Sequence, residues 1–193
     1  MAVNVPAAGR QRAVLPGDPG MWVFVLGDLV IFAAYFVIFM VYRYQQPALF
    51  LDAQHHLNRD AAVVNTLLLL ASSWSVATAV QAVRGGHTAA AARFLYGAGL
   101  GGVLFILIKA VEWWSEIAHH RTLSTNAFFM FYYMLTGVHL VHVALGLIIL
   151  GVVRRELRAP PARAVRAIET AAVYWHMVDL LWIVIFAIVY IMR

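Results

Sequence analysis

Five long apolar runs constrain the fold more than any other feature of this sequence. They lie near residues 21–42, 61–83, 94–115, 127–153 and 167–192. A helix needs about 20 apolar residues to cross the roughly 30 Å hydrocarbon core of a bilayer, and each run meets that length. Only helices and closed barrels satisfy backbone polar groups in lipid, and these runs are too long for strands. The runs therefore predict an all-α, polytopic membrane bundle of five transmembrane helices.

The composition agrees with membrane insertion and excludes several other classes. Charged residues make up 12% of the chain, against about 25% in soluble domains. The net charge of +5 comes from arginines placed between the apolar runs, where a positive-inside bias explains them better than nucleic-acid binding. The chain has no cysteine, which excludes disulfides, thiolate metal sites and thiol catalysis. We therefore expect no nucleic-acid partner.

The distribution of arginines predicts the orientation, because cytoplasmic loops are rich in Lys and Arg. One side carries Arg10, Arg12, Arg84, Arg93, Arg154, Arg155, Arg158, Arg163 and Arg166, and the other carries Arg43, Arg59, Arg121 and Arg193. The N-terminus is thus predicted to be cytoplasmic and the C-terminus to lie on the opposite side. Residues 1–20 are predicted to form a cytoplasmic tail that lacks the apolar core of a cleavable signal, and residues 21–193 the transmembrane domain.

Polar residues inside the predicted spans are the candidate site. They are Asp28, Asn65, Lys109, Glu112, His139, His142, Glu169, His176 and Asp179. A charged group at the centre of a membrane helix costs about 2.5–3.5 kcal/mol on insertion scales, so these groups should face the bundle interior or form pairs. Such residues mark functional sites by default, but polar groups also serve as ties between membrane helices.

The spacing of these residues gives more specific expectations. Lys109 and Glu112 lie three residues apart on one helix face and should neutralise each other. Similar membrane depths are predicted for four polar residues, which are His139 and His142 of the fourth span and His176 and Asp179 of the fifth. These residues could form one mid-membrane cluster.

Each of these groups has a chemical and a structural interpretation. His139 and His142 could be a metal pair, although structural hydrogen bonding is favoured. His176 and Asp179 could relay protons, although structural pairing is again favoured.

Glycines and aromatic residues give two further expectations. Gly97, Gly99, Gly101 and Gly102 predict close helix packing, including the small-xxx-small pair Gly97 and Gly101. Seven aromatic residues near the span ends predict belts at the membrane surfaces: Trp22, Tyr42, Tyr44, Trp113, Trp114, Tyr174 and Tyr190.

The order of motifs resembles the cytochrome c oxidase subunit III family, including its quinol-oxidase and nitric-oxide-reductase-associated relatives. The first span has an aromatic-rich segment with one acid at Asp28, and the second has Asn65-Thr66 followed by Ser72-Ser73. The three later motifs are Glu112-Trp113, the Thr-Gly-x-His-x-x-His segment Thr136–His142, and the Tyr-Trp-His-x-x-Asp segment Tyr174–Asp179. Together the five motifs cover residues 21–193.

The resemblance implies a function. Members of this family carry no haem or copper of their own; they flank a catalytic subunit that holds haem and copper, bind phospholipid and help to sustain proton uptake. The expected location is the inner (cytoplasmic) membrane of the cell, as a multi-pass protein of a respiratory electron-transport complex without activity of its own. Asp28 and Glu169, nearest the cytoplasmic side, are the candidates for ordering lipid head groups or biasing proton uptake.

The chain also departs from the family pattern. Larger members have seven helices, and this chain lacks the two that complete a lipid-holding cleft. Lys109 stands where many relatives have Gln. The Pro-Gly-Asp-Pro-Gly lead into Met21-Trp22 most resembles the nitric-oxide-reductase-associated branch, which implies a role in denitrification.

Two other functions remain open from the residues themselves. The chain could be a membrane metalloenzyme or b-type cytochrome that uses His139, His142 and His176. It could instead be a proton-coupled transporter that uses Asp179, His176 and Glu112. Transporters often show internal repeats and broken helices at mid-membrane depth, and the sequence shows neither of these features.

Overall fold

Helices account for almost all of the chain described in the computed structural model, residues 17–192. The six helices are α1 (Pro19–Gln45), α2 (Pro47–His55), α3 (Arg59–Arg84), α4 (Thr88–Ala118), α5 (Ala127–Glu156) and α6 (Pro161–Phe186). A π-helical turn, Ala187–Ile191, continues α6 to the end of the described chain. Five of these helices are long and apolar enough to cross a membrane, which confirms the predicted all-α class and the predicted number of spans. Most of the predicted N-terminal tail lies outside the described residues.

The long helices extend beyond the predicted spans. The helix α4 begins at Thr88 and ends at Ala118, so its 31 residues measure about 46 Å, which exceeds the hydrocarbon core. Its polar ends therefore reach the head-group layers, where the apolar pattern gives no signal. Local capping explains two of the starts: the Asn58 side chain accepts a hydrogen bond from Ala61 N, and the Asn126 side chain accepts one from Phe129 N.

The short helix α2 was not predicted from the sequence. It occupies the connection between α1 and α3, and its nine residues are too few to cross a bilayer. Pro47 stands at its start, where a missing N–H costs nothing. Phe50 is fully buried and packs edge-on against Phe39 of α1, with ring centroids 5.3 Å apart. This contact folds the helix back onto the bundle.

The last helix is the centre of the bundle. In its most apolar 18-residue stretch, the last span has 61% of its residues buried inside the bundle, whereas the same stretch of α1 has only 17%. The helix α6 packs against α3, α5 and α1, while α4 packs against α3 and α5. Consequently α1 is a peripheral helix with a broad apolar face exposed to lipid.

Close packing at the centre depends on glycines around Trp175. A Cβ atom at Gly102 would lie 2.8 Å from Cη2 of the Trp175 ring, and one at Gly146 would lie 2.7 Å from its Cζ3. Gly101 packs closely on Ser72 of α3, as the sequence predicted. The predicted small-xxx-small pair of Gly97 and Gly101 was wrong for Gly97. A Cβ atom added at Gly97 would meet nothing within 4 Å. Gly99 is equally open.

A buried polar network as the candidate functional site

The most deeply buried charged group is Lys109 of α4, which has no exposed surface. Its Nζ lies 3.1 Å from Oε1 of Glu112, so the ion pair predicted from the spacing of three residues is present. The hydroxyl of Tyr132 on α5 donates to the same carboxylate oxygen over 2.7 Å, and the hydroxyl of Tyr190 over 2.5 Å. Lys109 also contacts the Tyr190 hydroxyl directly. Three helical segments are thus tied together at one carboxylate.

Aromatic faces enclose the Lys109 ammonium on its remaining sides. Its Nζ lies 4.9 Å from the ring centroid of Tyr132, 5.0 Å from that of Tyr190 and 5.3 Å from that of Trp182. Attraction between a cation and an aromatic face is strongest where water is excluded. The ring faces therefore add to the Glu112 carboxylate in stabilising a charge that lies in a dry part of the bundle.

A second polar pair joins the peripheral helix α1 to α5. Nε2 of His142 lies 3.2 Å from Oδ2 of Asp28, and Nδ1 of His142 lies 2.8 Å from the Val138 carbonyl. The Tyr174 hydroxyl of α6 donates to the His142 carbonyl over 3.1 Å. Both side chains of the pair keep about one seventh of their surface exposed. Asp28 therefore ties α1 to the bundle at a position that stays accessible from outside.

The fully buried His139 lies in a different environment from His142. Its ring packs against Phe105 and Trp182, with centroids 5.5 Å and 5.3 Å away. Within residues 17–192 neither of its ring nitrogens has a hydrogen-bond partner, and neither amide atom of the buried Asn65 has one. The structure places His139 in an aromatic pocket of the core.

The third pair links α6 to α3. Nδ1 of His176 lies 2.6 Å from the Ser73 hydroxyl. Asp179, one turn further along α6, lies beside the same serine, and its Oδ1 has no hydrogen-bond partner in the described part of the chain. The predicted single cluster was therefore wrong: His139, His142 and His176 lie in three neighbourhoods, and Asp179 contacts the same serine as His176.

Glu169 lies at the opposite end of the bundle from Lys109 and Glu112. Its Oε1 accepts hydrogen bonds from Arg84 at 2.7 Å and 3.0 Å. The chain entering α1 is held nearby, since Asp18 N donates to Thr170 Oγ1 and the Asp18 carboxylate lies 3.1 Å from Nη2 of Arg166. Gly17 has a φ of +81° and passes within contact distance of Thr170, a conformation that favours glycine. Glu169 therefore belongs to a tie between α1, α3 and α6.

Sequence reasoning missed several polar ties because it did not weigh hydroxyl and indole groups within the spans as contacts between helices. The indole N–H of Trp175 donates to Ser72 over 3.0 Å, and that of Trp182 donates to Thr66 over 3.0 Å. The spacing of the Ser72 and Thr66 hydroxyls along α3 could have signalled a polar stripe facing α6. The buried carboxylate of Glu116 was also missed; it pairs with Arg121 over 2.7 Å.

The belt prediction was wrong for two tyrosines. Tyr174 and Tyr190 are buried in the bundle and donate hydrogen bonds to His142 and Glu112. Trp114 and Tyr44, in contrast, are largely exposed near the ends of their helices, as a belt requires.

These contacts define the class of protein. The chain is a multi-pass membrane protein in which several intramembrane polar groups contact groups on other helices. Among residues 17–192, no group of three or more His, Cys, Asp or Glu side chains could hold a metal ion. His142 and His176 each contact a polar group on another helix, which is the geometry of a tie between helices, whereas aromatic rings surround His139.

Comparison with known proteins identifies the family. The sequence model of the family described as cytochrome c oxidase subunit III matches residues 11–193, and the chain belongs to this family. It is 32% identical to a probable cytochrome c oxidase subunit 3 of Mycobacterium tuberculosis over 90% of this chain and 87% of that protein.

Other relatives broaden the comparison. The chain is 28% identical to cytochrome c oxidase subunit 3 of Corynebacterium diphtheriae, over 98% of this chain and 97% of that one. It is also 28% identical to cytochrome bo(3) ubiquinol oxidase subunit 3 of Buchnera aphidicola, over 89% and 84% of the two chains. The family predicted from the motifs is confirmed, while the nitric-oxide-reductase-associated branch stays a prediction.

Proposed function

We propose that this chain is the accessory subunit III of a respiratory haem–copper oxidase complex. It docks through its helices on a catalytic subunit that holds the haem and copper, and it has no redox centre of its own. The family match over residues 11–193 carries this proposal. The relatives named as subunits of a cytochrome c oxidase and of a ubiquinol oxidase support it.

The internal geometry fits a structural role. Lys109 with Glu112 and Arg84 with Glu169 use their charges within the chain, and Asp28 lies beside the His142 ring. The contacts that fix which helices are neighbours are the Tyr132 and Tyr190 hydroxyls on Glu112 and the Asp28–His142 contact between α1 and α5. The exposed apolar faces of the outer helices are then free to pack on the catalytic subunit and on phospholipid.

We place the complex in the inner membrane with the N-terminus of this chain in the cytoplasm, on the arginine distribution. In that orientation Asp28 and Glu169 lie towards the cytoplasmic side. The Asp28–His142 pair is partly exposed, whereas Glu169 is already paired with the Arg84 guanidinium. Asp28 is therefore a better candidate than Glu169 for a contact with protons or head groups. The terminal acceptor of the complex, oxygen or nitric oxide, depends on the catalytic subunit.

Purification of the tagged full-length chain from its native membrane tests the proposal. We expect a haem-containing catalytic subunit to co-purify. When detergent separates the two proteins, the haem absorption should stay with the catalytic subunit and be absent from this chain. Haem or copper that stayed with the separated chain, and decreased when His139, His142 or His176 was replaced by Ala, would support the metalloenzyme. Proton-coupled flux in liposomes that hold only this chain would support the transporter.

A further inference from the structure

One narrow face of the last span is exposed, although this span is the most buried of the bundle. Between residues 167 and 187 the exposed side chains are His176, Leu180, Ile183 and Ala187, and the half-buried Val173 precedes them. These five residues follow one another at intervals of three, four, three and four positions. They form the α6 stripe, which extends for about 21 Å along the helix axis. This spacing is typical of a seam along which one helix packs against another.

The helix α3 borders the α6 stripe on one side. The Ser73 hydroxyl of α3 lies 2.6 Å from Nδ1 of His176, so the two helices run side by side at this level. Leu70 and Ala77 of α3, about one turn on either side of Ser73, are 42% exposed and half-buried. Ala77 and Ala187 are small residues, which allow the backbone of another membrane helix to approach closely.

His176 is the polar residue at the centre of the α6 stripe. The last span runs from Pro161 to Ile191, so His176 is its middle residue. With the span centred on the membrane, the imidazole lies in the middle of the hydrocarbon core. Its Nδ1 contacts Ser73, whereas its Nε2 has no hydrogen-bond partner among residues 17–192. The side chain is exposed on the outside of the bundle.

An exposed imidazole at this depth requires a polar neighbour. Ionisable side chains within membranes almost always face a bundle interior or pair with one another, because hydrocarbon offers them no hydrogen bond. Acyl chains have neither donor nor acceptor, and the head groups lie about 15 Å away. A transmembrane helix with a hydrogen-bonding side chain at the same depth supplies the missing contact. The occupant that fits the α6 stripe is therefore a helix and not a lipid.

We propose that the α6 stripe is the docking seam for one transmembrane helix of the catalytic subunit. Nε2 of His176 contacts a hydrogen-bonding side chain of that helix, Leu180 and Ile183 pack between its apolar side chains, and Ala187 leaves room for its backbone. The inference rests on the proposed function, because the catalytic subunit is the partner, and it identifies the face of this chain that docks.

Photo-crosslinking in the intact, membrane-embedded complex tests the position of the seam. The photoreactive residue p-benzoylphenylalanine replaces Leu180 or, as the control, Val141 of α5, which is 67% exposed near the middle of its own helix. We expect irradiation to join the Leu180 variant to a transmembrane segment of the haem-containing subunit, identified by mass spectrometry of the linked peptides. The Val141 variant should give no crosslink above background. Equal yields from the two positions, or crosslinks of the Leu180 variant to lipid alone, would overturn the proposal.

A pair of variants separates docking at His176 from packing within this chain. His176→Leu removes the imidazole, whereas Ser73→Ala removes only the internal hydrogen bond and leaves the imidazole in place. The measured quantity is the dissociation constant of the detergent-solubilised complex, obtained by dilution and mass photometry. We expect it to rise about three- to tenfold for His176→Leu, as for the loss of one hydrogen bond between membrane helices, and to stay unchanged for Ser73→Ala.

The outcomes distinguish the seam from the proposed function. Equal dissociation constants for His176→Leu and Ser73→Ala would assign the imidazole to the interior of this chain and overturn the seam. The crosslink from Leu180 decides the question if His176→Leu fails to fold. A haem-containing subunit that bound His176→Leu with unchanged affinity would refute the seam and leave the proposed function intact. Its absence from every preparation of the unchanged chain would refute the proposed function, and the seam with it.

Discussion

The Tyr190 hydroxyl donates a hydrogen bond to Oε1 of Glu112 over 2.5 Å and thereby ties the last turn of the described chain to α4. Seventy-eight residues separate the two in sequence. Lys109 contacts both partners, so undocking of the final turn would remove a polar contact from the ammonium and a hydrogen bond from the carboxylate that neutralises it. The stability of the C-terminal turn and that of the buried ion pair should therefore be coupled.

Glu112→Gln tests the ion pair. The change removes the only carboxylate paired with Lys109 in the described structure and leaves the ammonium buried with neutral partners. Breaking a buried pair by removing one partner costs about 3–5 kcal/mol, and we expect a loss of stability of that size. Helical circular dichroism during thermal unfolding of the purified chain in detergent measures it.

Two controls accompany this change. The double variant Lys109→Gln with Glu112→Gln removes both charges and should recover most of the loss, because no unpaired charge remains. Arg84→Gln breaks a pair whose arginine is more than half exposed, and should cost at most about 1 kcal/mol. A double variant as unstable as Glu112→Gln alone would show that unpaired charge is not the cause.

Tyr190→Phe tests the coupling of the final turn. The variant keeps the ring over the Lys109 ammonium and removes only the Tyr190 hydroxyl, which donates a hydrogen bond to Glu112. We expect a loss of about 1–3 kcal/mol, since the hydrogen bond involves a charged acceptor. Tyr44→Phe removes a hydroxyl from a largely exposed ring and should leave the unfolding temperature unchanged. Similar unfolding temperatures for both variants would contradict the coupling.

The fold class and the number of membrane spans were easier to predict from this sequence than the contacts between side chains. Apolar runs report which segments enter lipid, because the bilayer sets a length that each must meet. Tyr190 shows why contacts are harder to predict. It lies within the π-helical turn Ala187–Ile191, where the wider winding turns side chains away from their α-helical positions, so α-helical periodicity does not give its direction.

The two histidines of α5 illustrate the same limit at smaller scale. A spacing of three residues leaves His139 and His142 about 60° apart around the helix. That angle is enough for His142 to reach Asp28 on α1 while His139 packs on Phe105 of α4. Their common face in sequence suggested a shared site, but the choice between the two neighbours depends on where α1 and α4 pack.

Gly146→Ala tests the packing around Trp175. The added methyl group would lie 2.7 Å from Cζ3 and 2.8 Å from Cε3 of the Trp175 ring, so the ring or the helix must shift. We expect a loss of about 1–3 kcal/mol from overpacking. Gly151→Ala, on the same helix but with nothing within 4 Å of an added Cβ, should be neutral or gain up to about 1 kcal/mol from helix propensity. Equal unfolding temperatures would show that the ring moves freely.

The proposed orientation can be measured directly because the chain contains no cysteine. Ala159→Cys places a single thiol in the arginine-rich connection between α5 and α6, and Ser124→Cys places one in the connection between α4 and α5. If the positive-inside rule sets the topology, a membrane-impermeant maleimide added outside spheroplasts, whose outer membrane has been opened, should label Ser124→Cys and leave Ala159→Cys unlabelled until they are permeabilised. The opposite pattern would invert the proposed topology and move Asp28 and Glu169 away from the cytoplasmic side.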